Sequence, residues 1–320
     1  MASKKRQTLE DELNALVAAD VRMPEGRKQL ELALGSERQR VVARAATIVR
    51  ERHLDGLEPL LAQAFDRFLV DGAKTDTGCL AKVALIEALD VLESSDAEFF
   101  MRATRVVQAE PAWKTAADTA GGVRARGLYA LARLGFPDLI LLAGEAFSDS
   151  QHTVRLAAAE SLAHFGVRHG AGVLLLALAK PEEDPLVTLA SMSALLSLAP
   201  EVGLPRLTTL LRGEDAETRE LAALALGQSN RPDALDVLVT ALNAASTSRT
   251  REPLFKAVAL HRSDRAISVL LESLGSATQA DAQLALEALA TRRFEPGVRG
   301  KVEARVTPTL RRLFNDLFPD

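Results

Sequence analysis

The sequence predicts an all-α protein built as a solenoid of about eight helix pairs, and three observations carry this. First, a segment repeats. Thr218-Arg-Glu-Leu-Ala-Ala-Leu-Ala-Leu with Arg231-Pro-Asp-Ala-Leu-Asp-Val-Leu returns as Thr250-Arg-Glu-Pro-Leu-Phe-Lys-Ala-Val with Ser263-Asp-Arg-Ala-Ile-Ser-Val-Leu, at a spacing of roughly 32 residues. Second, apolar positions recur with helical period, and Gly, Pro, Asp or Ser break them every 10–16 residues or so. Third, Ala and Leu dominate and aromatics are only 4%, a composition suited to closely packed helices.

The elements follow in order. Thr8-Leu-Glu-Asp11 reads as a capping box opening a helix to about Asp20, which Met23-Pro24 ends. The second helix of each pair starts near Glu37, Gly78, Gly122, Ser150, Asp184, Glu214, Ser248 and Thr278. A first helix precedes each, several with proline in the first turn at Pro59, Pro137, Pro205 and Pro232, where the missing N–H has no helical partner anyway. One last helix is expected from about Val298 to Leu317. The division predicted is a single solenoid over 1–320, with an end helix in 1–22, repeats in 23–292 and an end helix in 293–320. The end helices would cover apolar faces that an open stack exposes.

The second helices share a pattern: Asp149, then Val154-Arg155, Ala158-Ala159, Leu162 and Gly166. Val123-Arg124 begins the same pattern, which ends at Gly135; Val187-Thr188 keeps it but replaces the arginine. Gly135 and Gly166 suit left-handed helix stops. This pattern resembles HEAT repeats, in the short form found in phycobiliprotein lyases. The resemblance covers about Glu37 to Arg292 and is strongest from Val123 to Leu274. It implies a right-handed superhelix whose Val-Arg helices line the concave face. It also implies a structural ladder in which Arg124, Arg155, Arg219 and Arg251 bond turn acids of neighbouring repeats, Asp149 being the clearest and Asp215 another. Thr188 should interrupt it. The competing reading is that these arginines bind an anion.

One segment breaks the alternation. Gln108 to Gly122 is about ten residues longer than the usual turn and holds the sole tryptophan, Trp113. Two expectations compete: Trp113 folds back over a groove between repeats, or it binds a partner as an interface anchor. Gly72 to Gly78 reads as a second, smaller insertion, a longer polar turn.

No constellation for catalysis emerges. The five histidines include no His-Glu-x-x-His, and none is followed by Glu, unlike the repeated His-Glu pairs of the HEAT-repeat hydroxylases with a di-iron site. His164 and His169 flank a helix end and read as surface or capping residues. A single cysteine, Cys79, excludes an internal disulfide and a cysteine metal cluster. No Gly-x-Ser-x-Gly or phosphate-binding loop is present, and Gly121-Gly122 alone is a weak anion signal. No cofactor, metal or catalytic residue is therefore expected. The net charge of −4 carries no basic stripe, which argues against nucleic acid. The longest apolar stretches fall far short of the ~20 residues that cross a bilayer. The expectation is a cytoplasmic protein with neither membrane nor nucleic acid as partner.

The helical register sketches a ridge five residues after each arginine position: Tyr129, Glu160, Ser193, Leu224 and Lys256, flanked by Arg133, His164, Ser197, Gln228 and Leu260. Its mixed character suits a protein segment. The favoured function is a non-catalytic scaffold or adaptor that binds a protein partner through Trp113, Tyr129, Glu160, Leu224 and Lys256. The alternative is an enzyme or enzyme accessory, lyase-like or modifying, with a site near the Trp113 loop.

Overall fold

The structure, a computed structural model, describes residues 9–113, 115–275 and 278–319. The chain divides into two compact units, Met1–Phe165 and Gly166–Asp320. Both are stacks of antiparallel helix pairs, so the protein is an all-α solenoid in class.

In the first unit, α1 (Leu9–Ala18) precedes four pairs: α2 (Pro24–Leu34) with α3 (Gln39–Arg52), then α4 (Glu58–Leu69), the single turn α5 (Gly72–Thr75) and α6 (Leu80–Val91). α7 (Ala97–Ala103) pairs with α8 (Gly121–Arg133), and α9 (Leu139–Ala146) with α10 (His152–Phe165). The second helices α3, α6, α8 and α10 pack in series, each also covered by its own first helix. This unit's core is built from Leu, Ala and Val, with Phe65, Phe99 and Phe100 in edge contact at its centre. Gly127 lets α8 approach α7: a Cβ there would stand 2.9 Å from the Phe100 carbonyl oxygen.

The second unit repeats the plan. α11 (Ala171–Ala177) pairs with α12 (Pro185–Leu198), α13 (Pro200–Leu211) with α14 (Ala216–Gln228), α15 (Pro232–Ala244) with α16 (Ser248–Leu260), and α17 (Asp264–Ser273) with α18 (Gln279–Ala290). α12, α14, α16 and α18 pack in series around their own core. At Gly227 a Cβ would meet the Ala257 carbonyl oxygen at 2.2 Å, so α14 and α16 can touch only through glycine there. Helix starts are capped as the residue types dictate: Asp184, Asp215, Thr247, Ser263 and Thr278 each accept a backbone N–H of the first turn.

Eight pairs are thus present among the described residues, each second helix starting within about two residues of its predicted place. Gly135 and Gly166 have φ of 65° and 72°, as a left-handed stop requires. Thr8, the expected first cap, lies outside the described residues.

Three expectations need correction. The final helix is not continuous: α19 (Val298–Glu303) stops, and α20 (Arg311–Leu317) resumes after a 3-10 turn at Pro308–Leu310. Pro308 has no N–H to extend a helix, and it holds Thr307 extended at φ −73°, ψ 159°. Pro205 lies inside α13, because Pro200 already opens that helix; Pro137 stays in the turn before α9. The irregular segment, finally, is a β-hairpin. β1 (Ala109–Pro111) pairs antiparallel with β2 (Ala116–Asp118), Glu110 opposite Ala117.

Candidate protein-binding surface

An isolated two-stranded hairpin is marginal in water, so this one needs support from below. The burial pattern of β1 supplies it: Ala109 and Pro111 face out, and Glu110 faces in. The Glu110 Oε1 atom accepts three hydrogen bonds, from the Gly78 N–H at 2.7 Å, the Gln108 amide at 2.6 Å and the Thr119 hydroxyl at 2.7 Å. These donors, Gln108 first, hold its carboxyl below the ordinary glutamate value.

Gln108 also donates to the Asp76 carbonyl at 2.9 Å, tying the hairpin to the 72–79 insertion. Asp76 of that insertion and Lys82 of α6 form a fully buried ion pair of 2.9 Å. Asp76 further accepts the N–H groups of Ala81 and Lys82, and the Lys82 ammonium donates to the Phe68 carbonyl. The pair is satisfied on both sides, the condition under which buried charge is tolerated. Cys79 lies in the same cluster, buried, 3.7 Å from the Thr119 hydroxyl, and burial pushes its thiol up. Its burial disfavours the thiolate form that a nucleophile needs.

The other strand is anchored through Asp118. Its carboxylate accepts the N–H groups of Gln108 and Ala120, both at 3.0 Å, and pairs with Arg124 at 2.7 Å. Burial raises the Asp118 carboxyl, but these donors and the guanidinium outweigh it and the net direction is down. Arg124 then reaches the next repeat, gripping Asp149 with two bonds of 2.7 and 2.9 Å.

The result is a short hairpin bolted to the core at both strands, with Trp113 at its tip 96% exposed. This corrects the expectation that Trp113 covers a groove. The paired strands and the anchors at Glu110 and Asp118 hold the turn out in solvent.

The other ladder arginines differ. Arg251 meets Asp281 of the next helix at 3.0 Å. Arg155 donates to the Asp149 and Ser150 carbonyls of its own turn. Arg219 does the same to Gly213 and Glu214, at 2.8 and 2.5 Å, and among the described residues it forms no ion pair with the next repeat; its charge helps only to hold down the carboxyl of Asp215 in its own turn. Asp215 caps α14 instead, accepting the Thr218 N–H at 2.7 Å.

On the ridge, the Tyr129 hydroxyl donates to Glu160, joining α8 to α10; burial and then this carboxylate push the phenol up. Arg133 is held by Asp90 at 2.6 Å, and Arg50 and Arg126 converge on Glu87. Glu87 occupies the ridge position of α6 and was missed, because Lys82 stands where the pattern has arginine. In the second unit, Lys256 pairs with Glu252 at 2.7 Å, Leu224 is half-buried, and Ser193 borders a cleft of about 370 Å³ with Gln228 and Arg231. His164 and His169 are exposed, while His261 is buried between the Arg231 carbonyl and the Ser263 hydroxyl. Among the described residues no group of three or more His, Cys, Asp or Glu is placed to hold a metal, and no helix is long and apolar enough to cross a membrane.

A family model for HEAT repeats matches residues 204–290. That stretch carries HEAT repeats. No curated protein matches it. Solved structures similar to this chain include human deoxyhypusine hydroxylase in complex with glycerol, 18% identical over 85% of this chain and 97% of that one, TM-score 0.33. The CpcE–CpcF complex of phycocyanin lyase from Nostoc sp. is 15% identical over 75% and 94%, TM-score 0.39. Kap121p bound to Pho4p is 14% identical over 95% of this chain and 36% of that one, TM-score 0.46. At these identities the likeness is one of fold.

Proposed function

We propose that this chain is a non-catalytic scaffold or adaptor that holds a protein partner, working in the cytoplasm with its repeats 23–292 as one functional array. The observation that carries the reading is the anchored hairpin. A solvent-exposed indole loses little freedom on binding when the backbone beneath it is already fixed, and such aromatic anchors dominate interface energetics. The ridge residues Tyr129 and Glu160 in the first unit, and Leu224 and Lys256 in the second, would supply further contacts. Tyr129 and Glu160 hold each other in the first unit and Glu252 holds Lys256 in the second, so each stretch is pre-ordered and mixed, which fits a protein segment better than a nucleic-acid backbone.

The test is affinity capture from native lysate with mass spectrometry, run beside two variants. Trp113→Ala should cost about 2 kcal/mol or more of partner affinity, with melting unchanged because the side chain touches solvent. A triple Tyr129→Ala, Leu224→Ala, Lys256→Ala variant should weaken the same capture. Equal retention of the partner by wild type and both variants would sink the proposal. A small molecule retained without any protein would move the reading to an enzyme or accessory.

A further inference from the structure

The second unit contains a cleft of about 680 Å³ between the α13–α14 turn and the α15–α16 turn. Its charged lining is uneven: Arg212, Arg219, Arg249 and Lys256 against Glu220 and Glu252. Glu252 is engaged by Lys256 at 2.7 Å. Arg219 hydrogen-bonds the backbone carbonyls of its own turn, with Asp215 near enough to feel its charge, and Arg212 and Arg249 are exposed without an ion pair among the described residues. Three guanidinium groups therefore stand against Glu220, an excess of two positive charges in a chain whose net charge is −4.

The repeat register explains why the cleft is open. Arg124 finds its carboxylate at Asp149, three residues ahead of the next second helix, α10. Arg219 is the same position of α14, and three residues ahead of α16 stands Ala245. Arg251 finds its carboxylate at Asp281, in the third position of α18; the third position of α16 is Thr250. Both places that hold an aspartate elsewhere in this chain are thus uncharged here, and both Ala245 and Thr250 line the cleft. The arginine half of the pair is retained and the acid half is missing.

We propose that this cleft receives a carboxylate side chain of an acidic protein segment, which takes the place beside Arg219 that Asp149 takes beside Arg124. The identification rests on the scaffold reading for the partner being a protein; the anion preference rests on the cleft alone. Carboxylate is favoured because the chain itself fills the equivalent position with one. A peptide is favoured over nucleic acid because Leu211, Ala223, Pro253 and Leu254 give the cleft an apolar floor, and it offers no aromatic face for a base. Glu220 and Glu252 would repel a continuous phosphate backbone. Arg212 and Arg249 supply further fork-shaped donors for neighbouring acids.

The test uses the full chain and fluorescence anisotropy with a fluorescein-labelled peptide alternating glutamate and leucine. Controls are the same peptide with glutamine for glutamate, and labelled oligo-dT. The acidic peptide should bind, more weakly with salt, and the glutamine peptide should not. Arg212→Gln with Arg249→Gln, both at exposed positions, should weaken binding roughly tenfold or more. Ala245→Asp, which rebuilds the missing acid, should also abolish binding and raise the melting temperature. Trp113→Ala should leave this binding unchanged, so a failed hairpin hypothesis and a failed cleft hypothesis give different results. The idea is overturned by no anisotropy change at the highest attainable protein concentration, by equal binding of the glutamine peptide, by oligo-dT binding more tightly, or by undiminished binding in the double arginine variant.

Discussion

Two stretches of this molecule solve the same problem differently. In residues 72–149 two turns within helix pairs are long, and every buried charge there among the described residues is answered: Lys82 by Asp76, Arg124 by Asp118 and Asp149, Glu110 by three donors. In residues 211–252 the turns are short, and Arg219 is left with carbonyls beside an open cleft. The first stretch spends its polar groups on holding a projecting element still. The second leaves polar groups unspent. In a repeat protein each repeat contacts chiefly its neighbours, so such local differences carry function while the helical frame stays constant.

The comparison can be broken hardest at Lys82. Lys82→Ala leaves Asp76 buried without its counter-charge, and unfolding by denaturant should show a loss of about 3–5 kcal/mol. A loss under about 1 kcal/mol would mean the pair is ordinary surface electrostatics, and the contrast between the stretches would lapse. The next sharpest comparison is between register-equivalent arginines. Arg124→Ala should cost about 2–3 kcal/mol because it strands two partly buried carboxylates, whereas Arg219→Ala should stay within about 0.5 kcal/mol. Equal costs would show that own-turn carbonyls, not carboxylates, do the stabilising.

The smallest effect is in pH. Glu110 and Asp118 both have folded-state values below ordinary ones. Their contribution is complete above the ordinary carboxylate range and is lost as pH falls from there through their lowered folded-state values. Trp113 is the sole tryptophan, so its fluorescence anisotropy reports on the hairpin directly. It should be flat from about pH 7 to 5 and fall below about pH 4, before helicity is lost. Anisotropy that drops only with helicity would show that these carboxylates do not hold the hairpin.

The helix pairs were legible because apolar period and turn residues are local signals: Gly135, Gly166 and Asp215 each announce a helix end or start. The hairpin was not. Its strands are three residues each, Ala-Glu-Pro and Ala-Ala-Asp, with no β-branched or aromatic residue and with a proline. Only the excess spacing betrayed the segment. What holds it comes from Asp76, Gly78 and Arg124, each set by tertiary placement. The ladder shows the same limit. Arg219 and Arg251 look alike in sequence, and only the register of the following turn separates an arginine with an acid from one without.

Cys79 lies behind the hairpin, its sulfur near Thr119 and its backbone next to the Gly78 N–H that Glu110 holds. The sulfur is fully buried, with Thr119 at the foot of the hairpin against it. The chain therefore carries a timer for its own local opening: the rate at which its one thiol becomes modifiable measures how often the element bearing Trp113 lets go, independently of whether any partner has arrived.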